Sequence, residues 1–275
     1  MLLSLAFAAA LLVAQDPPVQ ADSNQPQEAA EQERIDADRP HVGTGAHLIE
    51  PGQLQFELGI QRQKTSDIGT FGSPVLLRIG ATRNLELRVA TDGFVSRDIP
   101  ASTTYGVGNA QIGAKIRLIG AGDEPVLSVM PQVNLGLASA DKGLGSGETD
   151  ATVTLLAGHA LGPRVTVEGN YGIGSIGSAT GRFPQHLLTG ALVHQTMRRL
   201  ATYGEIAWWS RQEHDGGPVS FIDYGAIFAL TPMVLIDGGA FTGVTADTPD
   251  YGLFAGVSFA VGPLRGSPAA SRRRF

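Results

Sequence analysis

The chain has no cysteine, which excludes a disulfide framework and any thiolate metal or redox centre. The absence leaves the compartment open, although it permits passage through an oxidising periplasm without mispairing. Charge is also scarce. Only 17% of the 275 residues are charged, with a formal net charge of −6, so the basic surface that nucleic acid requires is missing. Beyond the N-terminus, no stretch approaches the roughly eighteen consecutive apolar residues of a transmembrane helix, and a helical membrane protein is excluded. What the chain has in quantity is glycine, 36 residues alongside 16 prolines, and 43% hydrophobic residues. That composition suits strands and turns, with enough apolar material for a large buried surface. Mean hydropathy lies near zero, and this excludes nothing, because the alternating faces of a transmembrane barrel cancel in any average.

Met1 to Ala14 is apolar throughout, is too short to span as a stable helix, and runs into Gln15-Asp16-Pro17-Pro18, which stops a helix. Residues 1–21 read as a secretory signal. Val19-Gln20-Ala21 supplies the small-residue cleavage pattern, Ala14 is a second candidate, and a buried N-terminal helix is the alternative. Residues 22–34 are polar and small, and cannot offset the entropy of ordering. The expectation for 22–50 is therefore a flexible periplasmic segment, in which Asp36 and Asp38 form a solvated acidic run rather than a metal site.

From Pro51 the pattern changes to alternation. Leu54, Phe56, Leu58 and Ile60 alternate with Gln55, Glu57, Gly59 and Gln61, the period of a strand with two unlike faces. Val75, Leu77 and Ile79 oppose Arg78 and Gly80, and Leu85, Leu87 and Val89 oppose Glu86, Arg88 and Ala90. Asn109 to Ile119 sets Gln111, Lys115 and Arg117 against Ala110, Ile112, Ala114, Ile116 and Leu118. Similar runs follow at 127–137, where Pro131 breaks one ladder bond, and at 151–159, 165–173, 185–195, 201–210, 219–230, 233–243 and 251–261. Each is about the length a tilted strand needs to cross a bilayer.

The connections alternate too. Short ones fall at 82–83, 120–124, 160–163, 196–199 and 231–232; long ones fall at 64–73, 94–105, 139–148, 174–183, 211–218 and 244–250. Strict short-long order is what a barrel inserted from the periplasm shows, and a soluble sandwich has no reason to keep it. Lipid also forbids an open sheet edge, so the strands must close. The predicted fold is all-β: a closed antiparallel up-and-down transmembrane β-barrel of about twelve strands over 51–262, with a C-terminal tail at 263–275. Trp208, Tyr224, Phe228 and Phe259 fall on or near its outer face and suit an interfacial girdle.

The inward parity collects Glu57, Arg78, Glu86, Arg88, Gln111, Lys115, Arg117, Glu168, Glu205, Asp223 and Asp237. These charges either line a pathway and set its selectivity, or pair into a network that only satisfies buried charge. Gly172-Ile173-Gly174-Ser175-Ile176-Gly177 matches a dinucleotide-binding string, but no helix opens after it, and it reads as a glycine-rich outer loop. His41, His47, His159, His186, His194 and His214 form no catalytic arrangement. His186 and His194 share a parity that could face the lumen, and Glu213-His214-Asp215 could ligate a metal, but solvated loop and lumen residues account for all of them. No catalytic residue, metal or cofactor is assigned, and the chain is not read as an enzyme.

Asp38-Arg39-Pro40 is followed by Pro51-Gly52-Gln53-Leu54-Gln55-Phe56-Glu57 and Gly59, then by Arg78-x-Gly80-x-Thr82, Asn84-Leu85-Glu86-Leu87-Arg88 and Gly113-x-Lys115-x-Arg117. With Asp237, Gly239 and Pro249-Asp250-Tyr251 through Phe259, the chain resembles the phenol-degradation meta-pathway outer-membrane family, the MetA-type transporters, from residue 36 to about 261. The resemblance implies a Gram-negative outer-membrane barrel that passes small hydrophobic or aromatic molecules. Its expected partners are outer-membrane lipid, a small organic solute and, through a terminal Phe275, the barrel-assembly machinery; it is expected to be exported through the periplasm by its signal. A sealed structural or adhesive barrel, and a soluble secreted ligand-binding β-protein, are the alternatives.

Overall fold

Alternation in the sequence becomes two unlike surfaces of one closed sheet. A computed structural model describes residues 34–120 and 124–264; the signal at 1–21, the leader before Arg34 and the end of the tail, with Phe275, lie outside the described residues. The strands are β1 Leu54–Thr65, β2 Ile68–Gly72, β3 Val75–Thr82, β4 Leu85–Thr91, β5 Phe94–Ile99, β6 Ser102–Val107, β7 Ala110–Ile119 and β8 Val126–Leu135. They continue as β9 Asp150–Ala160, β10 Val165–Ser178, β11 Gly181–Met197, β12 Leu200–Trp209, β13 Val219–Thr231, β14 Val234–Gly243 and β15 Tyr251–Val261. Neighbours pair antiparallel, and β15 closes on β1 from Leu54↔Val261 to Lys64↔Tyr251.

Three pairs of segments, β2/β3, β4/β5 and β6/β7, are halves of single long staves, so the barrel has twelve. The interruptions lie side by side at Ser73-Pro74, Asp92-Gly93 and Gly108-Asn109. Ser73 N–H donates to the Phe94 carbonyl (3.0 Å), Asp92 N–H to Asn109 (3.0 Å) and Gly108 N–H to Gly93 (2.8 Å), which carries the ladder across them. Pro74 has no N–H to give, and Gly93 sits at φ +65° where a Cβ would strike the Ser73 carbonyl. Elsewhere the β7–β8 ladder skips Ala114 and Lys115 opposite Met130 and Pro131, where the proline again lacks a donor.

The usual burial order is inverted. Arg78, Lys115, Glu57 and Glu86 are among the largest fully buried side chains, whereas Leu87, Val89, Ile112, Leu155, Ile206 and Leu253 are exposed on the other parity. A continuous apolar exterior around a polar interior is stable in lipid and unstable in water. Tyr224 and Phe228 are exposed on that exterior, and Phe259 stacks on Phe56 there with ring centroids 5.2 Å apart.

Two expectations need correction. Half of the long connections are largely strand: 64–73, 94–105 and 174–183 form β2, β5, β6 and the ends of β10 and β11, closed by tight turns at Ser66-Asp67, Pro100-Ala101 and Ala179-Thr180. Their glycines and serines resemble loop chemistry, but the interspersed Thr, Val, Ile and Tyr favour strand, and each hairpin simply continues beyond the apolar belt. Loops at 136–149, 210–218 and 244–250 remain and define a long-loop mouth, opposite a short-turn mouth at 83–84, 161–164, 198–199 and 232–233.

The second correction concerns the leader. Over 34–50 it lies inside the barrel, not free beside it. Ile35 N–H donates to the Pro232 carbonyl (2.9 Å) at the short-turn mouth, and Ile35 packs with Ala229, Leu235 and Ala260. The chain rises to Val42–Thr44, half-way along β12, and returns past Ala46, which packs with Val126, Met130 and Leu156. Gly52 N–H then meets the Gly80 carbonyl (2.7 Å) at the same mouth. A segment this polar cannot fold on a core of its own. It folds here because the lumen supplies partners for its backbone.

Candidate functional site

Arg78 projects inward from β3 between Glu57 on β1 and Glu86 on β4. Its Nε and Nη2 donate to the two oxygens of Glu86 (2.8 and 3.0 Å) and its Nη1 donates to Glu57 (3.1 Å), a forked geometry only guanidinium provides. Arg88 Nη1 reaches Glu86 at 2.8 Å. These two acids cannot balance Arg78, Arg88 and Lys115. The missing acid is Asp38 of the lumenal segment: it accepts from Arg88 Nη1, takes both Lys115 Nζ contacts at 3.2 Å, and lies 3.6 Å from Arg78 Nη1. Three acids and three bases thus meet in one buried cluster of zero net charge, as a desolvated network requires.

The same side chains grip the segment's backbone. Glu57 accepts the N–H of Asp38 (3.2 Å) and Arg39 (2.9 Å), and Glu86 that of Ile49 (3.1 Å). Lys115 donates to the carbonyls of Gly45 (2.8 Å) and His47 (3.1 Å), and Arg78 to that of Asp36 (2.7 Å). Ser128 Oγ donates to Ala46 at 2.7 Å.

Across the lumen the inward charges of β10, β12, β13 and β14 are the acids Glu168, Glu205, Asp223 and Asp237. Glu205 on β12 accepts Val42 N–H (2.8 Å) and Gly43 N–H (2.7 Å). Asn170 on β10 accepts Thr44 N–H (2.7 Å) and donates to its carbonyl (3.0 Å). Asp237 on β14 pairs with Arg39 at 3.0 Å. Arg39 lies against Gly59 and Gly256, which face each other across β1 and β15, and a Cβ at either position would collide with its guanidinium. Glu168 lies against Gly45. Asp223 sits buried opposite Glu205 on the neighbouring strand, its Oδ1 without a hydrogen-bond partner among the described residues. Arg117 is half-buried on the inward parity of β7.

Above the segment the lumen is hollow. One cavity of about 250 Å³ is lined by Val42, Thr44, Arg88, Gln111, Gln132 and Leu187, among others. A second, of about 170 Å³, shares Leu76, Ala90 and Gln111 with it. A vestibule of about 1230 Å³ opens among the outer hairpins and loops, bounded by Thr70, Arg97, Leu144, Thr180 and His214. The shared parity of His186 and His194 faces outward with Leu188 and Leu192, not the lumen: the odd positions Thr189 and Ala191 are the buried ones. His186 Nδ1 meets the Tyr171 hydroxyl there at 2.9 Å. His214 Nδ1 lies 2.8 Å from Asp215 in a loop. The glycine string at 172–177 lies within β10, a strand, and not in a loop.

Residues 37–261 match the family described as "Putative MetA-pathway of phenol degradation". The chain belongs to this family. Among solved structures this MetA-type barrel is similar to an outer membrane channel from Pseudomonas putida F1, at 14% identity over 80% of this chain and 100% of that one, with a TM-score of 0.62. It is also similar to the NanC porin, at 12% identity over 75% of this chain and 98% of that one, with a TM-score of 0.53. At such identities the likeness is one of fold. No curated protein matches the chain.

The family match begins inside the lumenal segment, so Asp38 and Arg39 of the MetA-type chain fall within it. Sequence reasoning left both outside the site, along with Asn170 and Ser128. A signal was available for Asp38: strands β1 to β4 and β7 place four inward cations, Arg78, Arg88, Lys115 and Arg117, against two inward acids, Glu57 and Glu86, and a buried excess of positive charge demands a partner from elsewhere.

Proposed function

We propose that this MetA-type barrel is a passive outer-membrane pathway for small organic molecules, hydrophobic or aromatic in class. The short-turn mouth faces the periplasm and the long-loop mouth faces outward, as insertion from the periplasm requires. One observation carries the reading: the hollows bordering the segment combine apolar side chains such as Leu76, Met130 and Leu187 with the amides of Gln111, Gln132 and Asn134, and the charged groups on their walls, Arg39, Glu57, Arg88 and Asp92, already hold partners, a surface suited to weakly polar solutes. Residues 34–50 form the narrowest part of the route, and the lumenal acids and bases hold that constriction in place. Eight of the eleven inward residues divide by role: Gln111 and Arg88 border the route, and Glu57, Arg78, Glu86, Lys115, Glu205 and Asp237 anchor the segment.

The test is uptake of a radiolabelled aromatic solute by proteoliposomes carrying the full chain, compared with protein-free vesicles. Uptake above the lipid background is expected, and Glu57→Ala or Arg88→Ala changes its rate. Uptake equal to background sinks the proposal. The second reading, a sealed structural barrel, is favoured by the buried cluster of six charges packed around Asp38, and it predicts that background result.

A further inference from the structure

We propose that the 250 Å³ cavity above Val42–Thr44 is a binding subsite for an uncharged, single-ring organic molecule that carries an acceptor oxygen, with Arg88 as the donor. The inference rests on the reading of the lumen as a solute route and adds what that route selects.

Arg88 borders the cavity, yet both of its carboxylate contacts use Nη1. Its Nε is buried without a hydrogen-bond partner among the described residues. A guanidinium has five N–H groups in a fixed fork, and a buried cation rarely leaves them unspent, because each unmet donor keeps its desolvation cost. An acceptor oxygen arriving from the cavity side, with a small turn of the guanidinium, meets that need. Nearby, Gln132 Nε2 donates to Gln111 Oε1 in a long contact of 3.4 Å. That contact leaves both amide N–H groups of Gln111 and the amide oxygen of Gln132 for a hydroxyl or carbonyl. Val42, Leu76, Ala90, Met130 and Leu187 provide the apolar remainder of the wall.

Charge decides between a neutral acceptor and an anion. Asp38, Glu57 and Glu86 already cancel Arg78, Arg88 and Lys115, so no net positive field remains to offset burial of a carboxylate. Asp38 and Glu86 would also repel it through the guanidinium they share. Size sets the other limit. Pockets for drug-sized ligands run to roughly 300–1,000 Å³, and this one is smaller, fitting one substituted ring.

The experiment compares acetophenone, toluene and benzoate as blockers of ion current through the full-length protein in planar bilayers. Saturation-transfer NMR on the protein in nanodiscs reads the same preference independently of current. Acetophenone is expected to half-saturate at a concentration about tenfold lower than either control, the lower bound for a hydrogen bond to a charged donor. Arg88→Lys keeps a cation beside Asp38 and Glu86 but removes the fork, and it should erase the preference. Leu187→Trp fills the cavity without touching an ionic contact, and it should erase saturation; heat-modifiable migration on gels reports that both barrels are folded. Equal half-saturation for the three probes, or a preference that survives both substitutions in folded protein, overturns the subsite. Acetophenone flux without saturation likewise overturns the subsite but leaves passage standing. Saturable binding without flux keeps the subsite and overturns passage.

Discussion

The two walls of the lumen hold the same segment by different chemistry. On β1, β3, β4 and β7 the grip is ionic and shared: Arg78, Arg88 and Lys115 converge on Asp38, Glu57 and Glu86, and Asp38, Arg78, Arg88 and Glu86 each pair with more than one opposite charge. On β10, β12 and β14 it is distributed. Glu205 and Asn170 bind backbone N–H groups, Asp237 pairs with Arg39, and Tyr203 packs edge-on against the His41 ring. A shared ionic cluster fails as a unit, because removing one member strands charges that have no water. A set of backbone contacts fails one contact at a time. The first wall should therefore decide whether the segment stays in the lumen, and the second where its tip lies.

Asp38→Asn is the severest way to break that contrast. It leaves Lys115 and Arg88 short of a counter-charge, at a cost of about 3–5 kcal/mol. Bilayer conductance should rise, and amide exchange across 36–50 should accelerate by about a hundredfold or more; unchanged exchange would show that the cluster is not what holds the segment. Glu205→Gln keeps the shape of its side chain and weakens two charge-assisted bonds, costing about 2 kcal/mol. Exchange should quicken at Val42 and Gly43 and stay slow at Ile49, and if all three respond alike the walls are not independent.

Gly59→Ala, whose new Cβ meets only the Arg39 side chain, pushes the Arg39 guanidinium away from Asp237 for about 1–2 kcal/mol of overpacking. The segment should remain in place, with exchange altered only near Arg39. Arg62→Ala sets the floor. Its pair with Asp98 is 3.3 Å long but exposed, and such pairs contribute about 0–1 kcal/mol. A loss of thermal stability comparable to that of Asp38→Asn would contradict the assignment of the stabilising charge to the lumen.

Much of the fold was legible because alternation is a local property. Phe56 and Glu57, or Ile112 and Lys115, have only two faces to choose between once the strand is recognised, and one bulk solvent decides which faces out. Boundaries were less legible. Thr70, Thr103 and Ser175 look like loop residues, and they are strand because a neighbouring hairpin arm of matching length is present to pair with them.

The candidate site divides along the same line. Arg78, Glu86 and Lys115 could be placed inward from their own strands, but nothing in residues 34–50 has a period or a core. Asp38 reads as one acid in a polar leader, and its role depends on three cations 40, 50 and 77 residues away in the chain.

The sequence by itself determined a two-faced sheet, its closure in lipid and the sign of nearly every inward charge, because period and solvent act residue by residue. Only the tertiary structure decided that the chain's own leader occupies the lumen. That outcome depends on the balance of charges and backbone donors summed around a closed barrel, and no single strand carries that sum.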